Sequence, residues 1–274
     1  MIRDITIGQY YPAKSILHRL DPRVKLTGTL LYLVSLFLFS SISGYLTTTL
    51  FLAIVIYLSK VPLSYIVKGL KPIIMLLMIT VIFNLFLTRS GDVLFHAWIF
   101  TITEGGLRTA VYMAVRLIYL IIGSSLMTFT TTPNELTDGI EALLCPLNKV
   151  HVPVHEIAMV MSIALRFIPI LLEETDKIMK AQIARGADLE SGNMIQKAKS
   201  MIPILVPLFV SAFRRANDLA MAMEARCYHG GEGRTKMKPL RYEKRDYAAY
   251  LIVIAYVVAV VLIGRYVPLH IGML

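Results

Sequence analysis

From Leu26 to Ser59 the chain reads LTGTLLYLVSLFLFSSISGYLTTTLFLAIVIYLS, 34 residues without a charge between Lys25 and Lys60. One helix of that length would measure about 51 Å at about 1.5 Å per residue, against a bilayer core about 30 Å thick. Ser40-Ser41-Ile42-Ser43-Gly44 supplies the turn that divides it. Two short spans are therefore expected, near 26–42 and 44–59. Further along the chain, a charge-free run covers 72–88, and a fourth span covers about 107–131, its uncharged part following Arg116. The last runs from Tyr247 to Gly264, ahead of Arg265. The pattern is that of an all-α polytopic membrane protein with about five transmembrane helices. Composition agrees. The chain is 56% hydrophobic and 17% charged, where soluble domains run about 45–50% apolar and about 25% charged. Cys145 and Cys227 form no CxxC pair and give neither a disulfide framework nor a zinc site.

The net charge of +10 reads, on so apolar a chain, as basic loops facing anionic lipid and the cytoplasm rather than nucleic acid. Residues 1–25 carry Arg3, Lys14, Arg19, Arg23 and Lys25 against Asp4 and Asp21, and the loop after the second span carries Lys60, Lys68 and Lys71 with no acid. Both sets face inward by the positive-inside rule, and the loop with Arg89, Asp92 and Glu104 faces outward. The N-terminus is then cytoplasmic. The expected organisation is an N-terminal membrane part over 1–131, a charged cytoplasmic segment over 132–246 and a C-terminal span within 247–274. Val93–Thr103, with Trp98, is too short to span and reads as an interfacial or re-entrant piece. The first 25 residues hold no apolar stretch of the kind a cleavable signal peptide needs.

Residues 132–246 hold 16 of the 28 Lys and Arg and 14 of the 18 Asp and Glu, an internal balance of only +2. Thr132, Pro133 and Glu135 write a helix start with a capping box, running to about Leu144. A second helix extends from Pro153 to Arg185 with Pro169 inside it, and a third from about Ala198 to Arg226 with Pro203 and Pro207 as kinks. The two long helices are weak copies of each other at an offset of 41 residues: Ala181 matches Ala222, Ala184 matches Ala225, and Arg185 matches Arg226. At 100° per residue each Arg continues the apolar stripe of its helix, with Phe167, Leu171 and Ile178 on one and Leu208, Ala212 and Leu219 on the other. A single Ala-Arg-Gly is most simply a helix C-terminus. Two copies on matching stripes, each Arg flanked by small residues, point instead to guanidinium groups presented to a partner's groove. Glu174 and Arg215 occupy equivalent places on the two stripes. Opposite charges at one level suggest an inter-helix pair marking where the helices cross, against an alternative in which both reach headgroups or water.

These motifs resemble those of the transmembrane (T) component of energy-coupling-factor transporters, ABC-class importers of vitamins and micronutrients. The resemblance covers nearly the whole chain. It is carried by Gly8-Gln9-Tyr10-Tyr11, by Leu17-His18-Arg19-Leu20-Asp21-Pro22-Arg23-Val24-Lys25-Leu26, by Ala164-Leu165-Arg166-Phe167-Ile168-Pro169 and by the paired Ala184-Arg185-Gly186 and Ala225-Arg226-Cys227. Cys227 stands where Gly or Ser is more usual. The resemblance implies that 132–246 are coupling helices. The two Arg motifs would dock in two ATP-binding ABC-type subunits, and the membrane part would hold a small integral-membrane substrate-binding (S) component. It also implies a bacterial cell membrane, no cofactor on this chain, and Mg-ATP on the partner subunits.

Chemistry on the chain itself finds little support. No Gly-Lys dipeptide and hence no Walker A occurs, and Gly230-Gly231-Glu232-Gly233 reads as a solvated linker. His155-Glu156 begins an HExxH motif, but Met159 stands in place of the second His. Arg116, inside the fourth span, is either functional or an internally hydrogen-bonded cation. The rival reading is a self-sufficient secondary transporter or channel, which needs polar groups at the midplane. Asn84 is the strongest polar candidate in the first three spans, and the charged 115-residue segment has no role in that scheme.

Overall fold

Asp21 and Pro22 open the first helix. The Asp21 carboxylate accepts the Arg23 backbone N–H at 2.9 Å, and proline at the first position needs no donor. In the computed structural model, which describes residues 10–88, 93–97, 100–187, 193–230, 237 and 239–266, this helix α1 covers Pro22–Ser35. It starts earlier and stops sooner than the span expected at 26–42. The early start is possible because each of the two charges inside it is met by a partner. Arg23 pairs with Asp21 at 3.0 Å, and Lys25 Nζ donates to the carbonyls of His18 (3.1 Å) and Thr130 (2.8 Å). At the other end, the Ser35 hydroxyl donates back to the Tyr32 carbonyl at 2.6 Å, a bond that competes with the helical ladder.

After the turn, α2 covers Ile42–Ser59, with Ser41 capping the Gly44 N–H. Two shorter helices follow, α3 (Leu63–Leu70) and α4 (Ile74–Leu87). They bend by 60° across Lys71–Ile73, where Pro72 cannot supply an N–H. The charge-free run at 72–88 is α4 itself, and it forms the second arm of a bent pair. Residues Val93–Ala97 (β1) and Phe100–Thr103 (β2) form an antiparallel hairpin, a more regular structure than the expected interfacial piece. Trp98, Gly8-Gln9 and Gly231–Gly233 lie outside the described residues. Helix α5 covers Glu104–Thr130 and α9 covers Lys244–Tyr266.

Contacts divide the chain into two units, one of Gly8–Gly139 with Leu240–Leu274. Its core is Tyr32, Leu36, Phe39, Tyr45, Leu52, Tyr256 and Val260. Tyr256 stacks on Phe51 with centroids 4.0 Å apart, and its hydroxyl lies 3.1 Å from both Ser35 Oγ and Thr48 Oγ1. The Tyr32 hydroxyl donates to the Tyr119 carbonyl at 3.1 Å. In lipid no water is available to meet such groups, so they meet one another. The apolar side chains left outside, Leu30, Val34, Leu38, Leu50 and Leu251 among them, are exposed, as a lipid-facing surface requires.

The other unit includes Ile140–Pro239 and is built from α7 (Val154–Ala184) and α8 (Met194–Glu224). Helix α8 begins four residues before the expected Ala198 because Asn193 and Gln196 form a capping box there. Helix α6 (Pro133–Leu144) opens with the expected box, Thr132 N–H to Glu135 and Glu135 N–H to Thr132, each at 3.3 Å. Among the described residues five helices are long and apolar enough to cross a membrane: α2, α5, α7, α8 and α9, or six with the bent pair. Charge alone sets α7 and α8 apart. By length and hydropathy they resemble the spans.

Candidate docking site on the paired helices

Both long helices end in the same way. In α7 the Gly186 N–H donates to Ile183 O (2.9 Å) and the Ala187 N–H to Gln182 O (3.0 Å). In α8 the Cys227 N–H donates to Glu224 O (2.9 Å) and the Tyr228 N–H to Met223 O (3.1 Å). These are two Schellman caps, with Arg185 and Arg226 at the equivalent last position and Gly186 and Cys227 in the left-handed conformation, at φ 87° and 56°. The cap explains the residue after each arginine. It satisfies the last carbonyls and turns the chain sharply away. Ala184, Arg185, Gly186, Ala225, Arg226 and Cys227 are all exposed. Among the described residues neither guanidinium has an ion-pair or side-chain hydrogen-bond partner. Capping and presentation are thus one feature, since the cap bares the cation.

The helices meet at Glu174 and Arg215. Arg215 Nη2 donates to Glu174 Oε2 at 3.0 Å, and the Ser211 hydroxyl donates to Oε1 of the same carboxylate. Farther along α7, Gln182 Nε2 donates to the Pro203 carbonyl at 3.3 Å. That carbonyl is open because Pro207, four residues on, has no N–H to give it. Gln182 lies C-terminal to Glu174 while Pro203 lies N-terminal to Arg215. The helices therefore run in opposite senses where they cross, and the two arginine tips lie on opposite sides of the crossing. Each tip is 11 residues past the pair (185 − 174 and 226 − 215), about 17 Å at about 1.5 Å per residue.

Where two copies of a repeat run antiparallel, equivalent members touch each other at a local two-fold axis. Glu174 and Arg215 are equivalent under the 41-residue offset, so the two arginine caps are related by an approximate two-fold axis at the pair. Between the helices lies an apolar cavity of about 270 Å³ lined by Phe167, Leu171, Ala212, Leu219 and Met223. Much else stays open: Val160, Met161, Leu205, Phe209, Val210 and Phe213 are exposed large apolar side chains. The sequence singles out the arginines and offers Glu174 and Arg215 as a possible pair, but it does not single out Ser211 or Gln182. The Pro203/Pro207 spacing, which leaves one carbonyl without its donor, was the signal for Gln182.

The remaining candidates each have a partner within the chain. His155 Nδ1 lies 3.0 Å from Glu141 Oε1, and no metal-holding cluster exists among the described residues. Arg116 Nη2 donates to the Phe39 carbonyl at 3.1 Å and its guanidinium lies 5.6 Å from the Phe37 ring centroid. It thus ties α5 to the turn between α1 and α2. Asn84 Nδ2 donates to Thr80 O, one turn back, at 2.8 Å.

A family model described as cobalt transport protein, CbiQ, matches residues 13–237. The chain is similar to the energy-coupling factor transporter transmembrane proteins EcfT of several bacteria. It is 60% identical to that of Clostridium kluyveri over 92% of this chain and 93% of the relative. The relative from Ruminiclostridium cellulolyticum is 54% identical over 96% and 98%, and that from Bacillus subtilis 49% over 90% and 93%. With a helical polytopic fold, twin arginine caps and relatives that match along almost their full length, the chain belongs to the CbiQ family as a T component of energy-coupling factor transporters.

Proposed function

We propose that the chain is the transmembrane coupling subunit of a multi-pass bacterial importer, doing no chemistry itself. ATP is bound and hydrolysed, with Mg, by two ABC-type subunits that receive Arg185 and Arg226. A separate small membrane component carries a vitamin or micronutrient. The observation that carries this reading is the pair of like arginine caps related by an approximate two-fold axis. A two-fold arrangement of one cation-tipped motif suits a partner that is itself a pair of like subunits. The guanidinium fork suits carboxylates or carbonyls in each groove. Motion in the ATPase pair moves the two tips relative to each other, and the Glu174–Arg215 crossing carries that motion from one helix to the other. The requirement is differential contact: the tips must be held differently in the two ATPase states. The N-terminus and residues 132–246 lie on the cytoplasmic side in this scheme, where ATP is available. The open apolar faces of α7 and α8 are covered by lipid and by the substrate-binding component.

A self-sufficient carrier is the weaker reading, because Asn84, its best midplane ligand, is already bonded within its own helix. The test is co-purification and ATP-dependent uptake with Arg185→Glu and Arg226→Glu. Reversing a charge in a buried, charge-assisted contact costs on the order of 2–5 kcal/mol. Each variant should therefore insert and fold normally but assemble poorly with the ATPases, and the double variant should abolish uptake. A double variant that assembles and transports like the parent refutes the docking role of the caps.

A further inference from the structure

Where the chain enters α1 and leaves α2, three cations surround one cavity. Lys14, Arg19 and Lys60, with Ser15, Ile16, Tyr57 and Leu58, line a space of about 420 Å³. No acid is among them, and among the described residues none of the three cations is in an ion pair. Each is exposed. Lys60 sits at the C-cap of α2 in the left-handed conformation, φ 56°, a backbone state that L-residues other than Asn and Asp rarely take. That conformation ends α2 and turns the chain at the cavity rim. Tyr57 is 84% exposed, an amphipathic ring at the level where a membrane-spanning helix meets headgroups. A second, apolar cavity of about 300 Å³ begins at the same two residues, Ile16 and Leu58, and continues between Val24, Phe51, Leu52 and Ile252.

We propose that these two cavities form one site for an anionic phospholipid. The phosphate-bearing headgroup rests among Lys14, Arg19 and Lys60, and an acyl chain passes Ile16 and Leu58 into the apolar cavity. Three cations without an acid match one or two phosphate charges and repel a zwitterion's ammonium. The apolar cavity, which shares Ile16 and Leu58 with the basic one, distinguishes a lipid from a free anion, which would use only the basic end. Residues 14–19 lead into α1 and Lys60 follows α2, so a lipid here ties the entry of one helix to the exit of the next. The inference depends on α2 lying in the membrane, and not on which leaflet its Lys60 end faces or on the arginine caps.

The test uses the full chain in phosphatidylcholine nanodiscs, with phosphatidylglycerol titrated in and retained lipid counted by native mass spectrometry. Phosphatidylglycerol should be retained in preference to phosphatidylcholine. Each cation near a headgroup contributes about fivefold, so Lys14→Gln with Arg19→Gln and Lys60→Asn should weaken retention about a hundredfold. Asn at position 60 keeps the left-handed cap. Lys14→Gln alone, on an exposed side chain, should still show about fivefold if the triple variant folds poorly. Leu58→Trp, which fills the place where the two cavities share a wall, should weaken retention while leaving the cations in place. Equal retention of the two lipids, or a Lys14→Gln variant as retentive as the parent, overturns the proposal. Displacement of phosphatidylglycerol by millimolar inorganic phosphate identifies a free-anion site and overturns it as a lipid site.

Discussion

A charge exchange across the α7–α8 crossing separates a structural ion pair from an incidental one. At 3.0 Å the gross attraction is roughly 4–6 kcal/mol at an effective dielectric of about 20. The side chains are 40% and 23% exposed for Arg215 and Glu174, so solvent screening removes most of it. Exposed pairs retain about 0–1 kcal/mol and hydrogen bonds to charged groups about 1.5–3. A net coupling of about 1–2 kcal/mol follows. Glu174→Arg alone puts two guanidinium groups at the crossing, and Arg215→Glu alone puts two carboxylates there. Each should lower the unfolding midpoint of the full chain in detergent and slow ATP-dependent uptake by the assembled transporter. The double exchange should recover about 1 kcal/mol, because the local two-fold axis makes the exchanged pair the same pair reversed. Recovery should stop there. The Ser211 hydroxyl serves Glu174 from α8, and the equivalent position on α7 (211 − 41) is Ile170, which has no donor. Adding Ile170→Ser should supply the missing bond, worth about 1 kcal/mol. A double-mutant cycle with coupling below about 0.3–0.5 kcal/mol would mean the residues do not interact, and the crossing would have to be placed elsewhere on the stripes.

Three further outcomes are expected. A Cβ at Gly123 would overlap the ring of Tyr32, which is buried and held by its bond to Tyr119, so Gly123→Ala should cost about 1–3 kcal/mol in a thermal-unfolding assay. An unchanged midpoint would show that α1 and α5 separate easily. Asp246 is buried at the start of α9 and accepts the backbone N–H groups of Asp21 (2.9 Å) and Glu243 (2.8 Å). Asp246→Ala should then cost about 1–3 kcal/mol for each orphaned donor, and Asp246→Asn less; equal midpoints for Ala and parent would contradict this. Cys145, which is exposed, should react in intact cells with a membrane-permeant thiol reagent and not with an impermeant one. Impermeant labelling would reverse the charge-based orientation.

Much of the helix pattern was legible because it rests on local chemistry. Thr132, Pro133 and Glu135 form a capping box from residues three apart. The 41-residue match between the helices, the two arginines on their stripes and the glycine after Arg185 are likewise read along the chain, whereas the left-handed state of Cys227 came from the structure. The boundaries that were misplaced are instructive. Absence of charge alone starts the first span at 26 and carries it to 42. Asp21-Pro22 was a readable start signal. What made it usable was remote: Lys25 can lie inside the helix because Thr130, 105 residues away, presents its carbonyl. The end at Ser35 likewise sits beside the Tyr256 hydroxyl, 221 residues away.

The sequence by itself determined that this is a membrane-spanning helical chain with two arginine-tipped copies of one helix. Hydropathy, breakers and periodicity act over one to a few turns and need no knowledge of neighbours. Tertiary structure alone decided that the copies cross in opposite senses, so that Glu174 and Arg215 meet and the tips diverge. It also decided that Arg116 is held by Phe39, and that Lys14, Arg19 and Lys60 surround one cavity. Each of these brings together groups from separate segments. Which of them meet depends on packing, and on the need of every buried polar group for a partner in a medium without water.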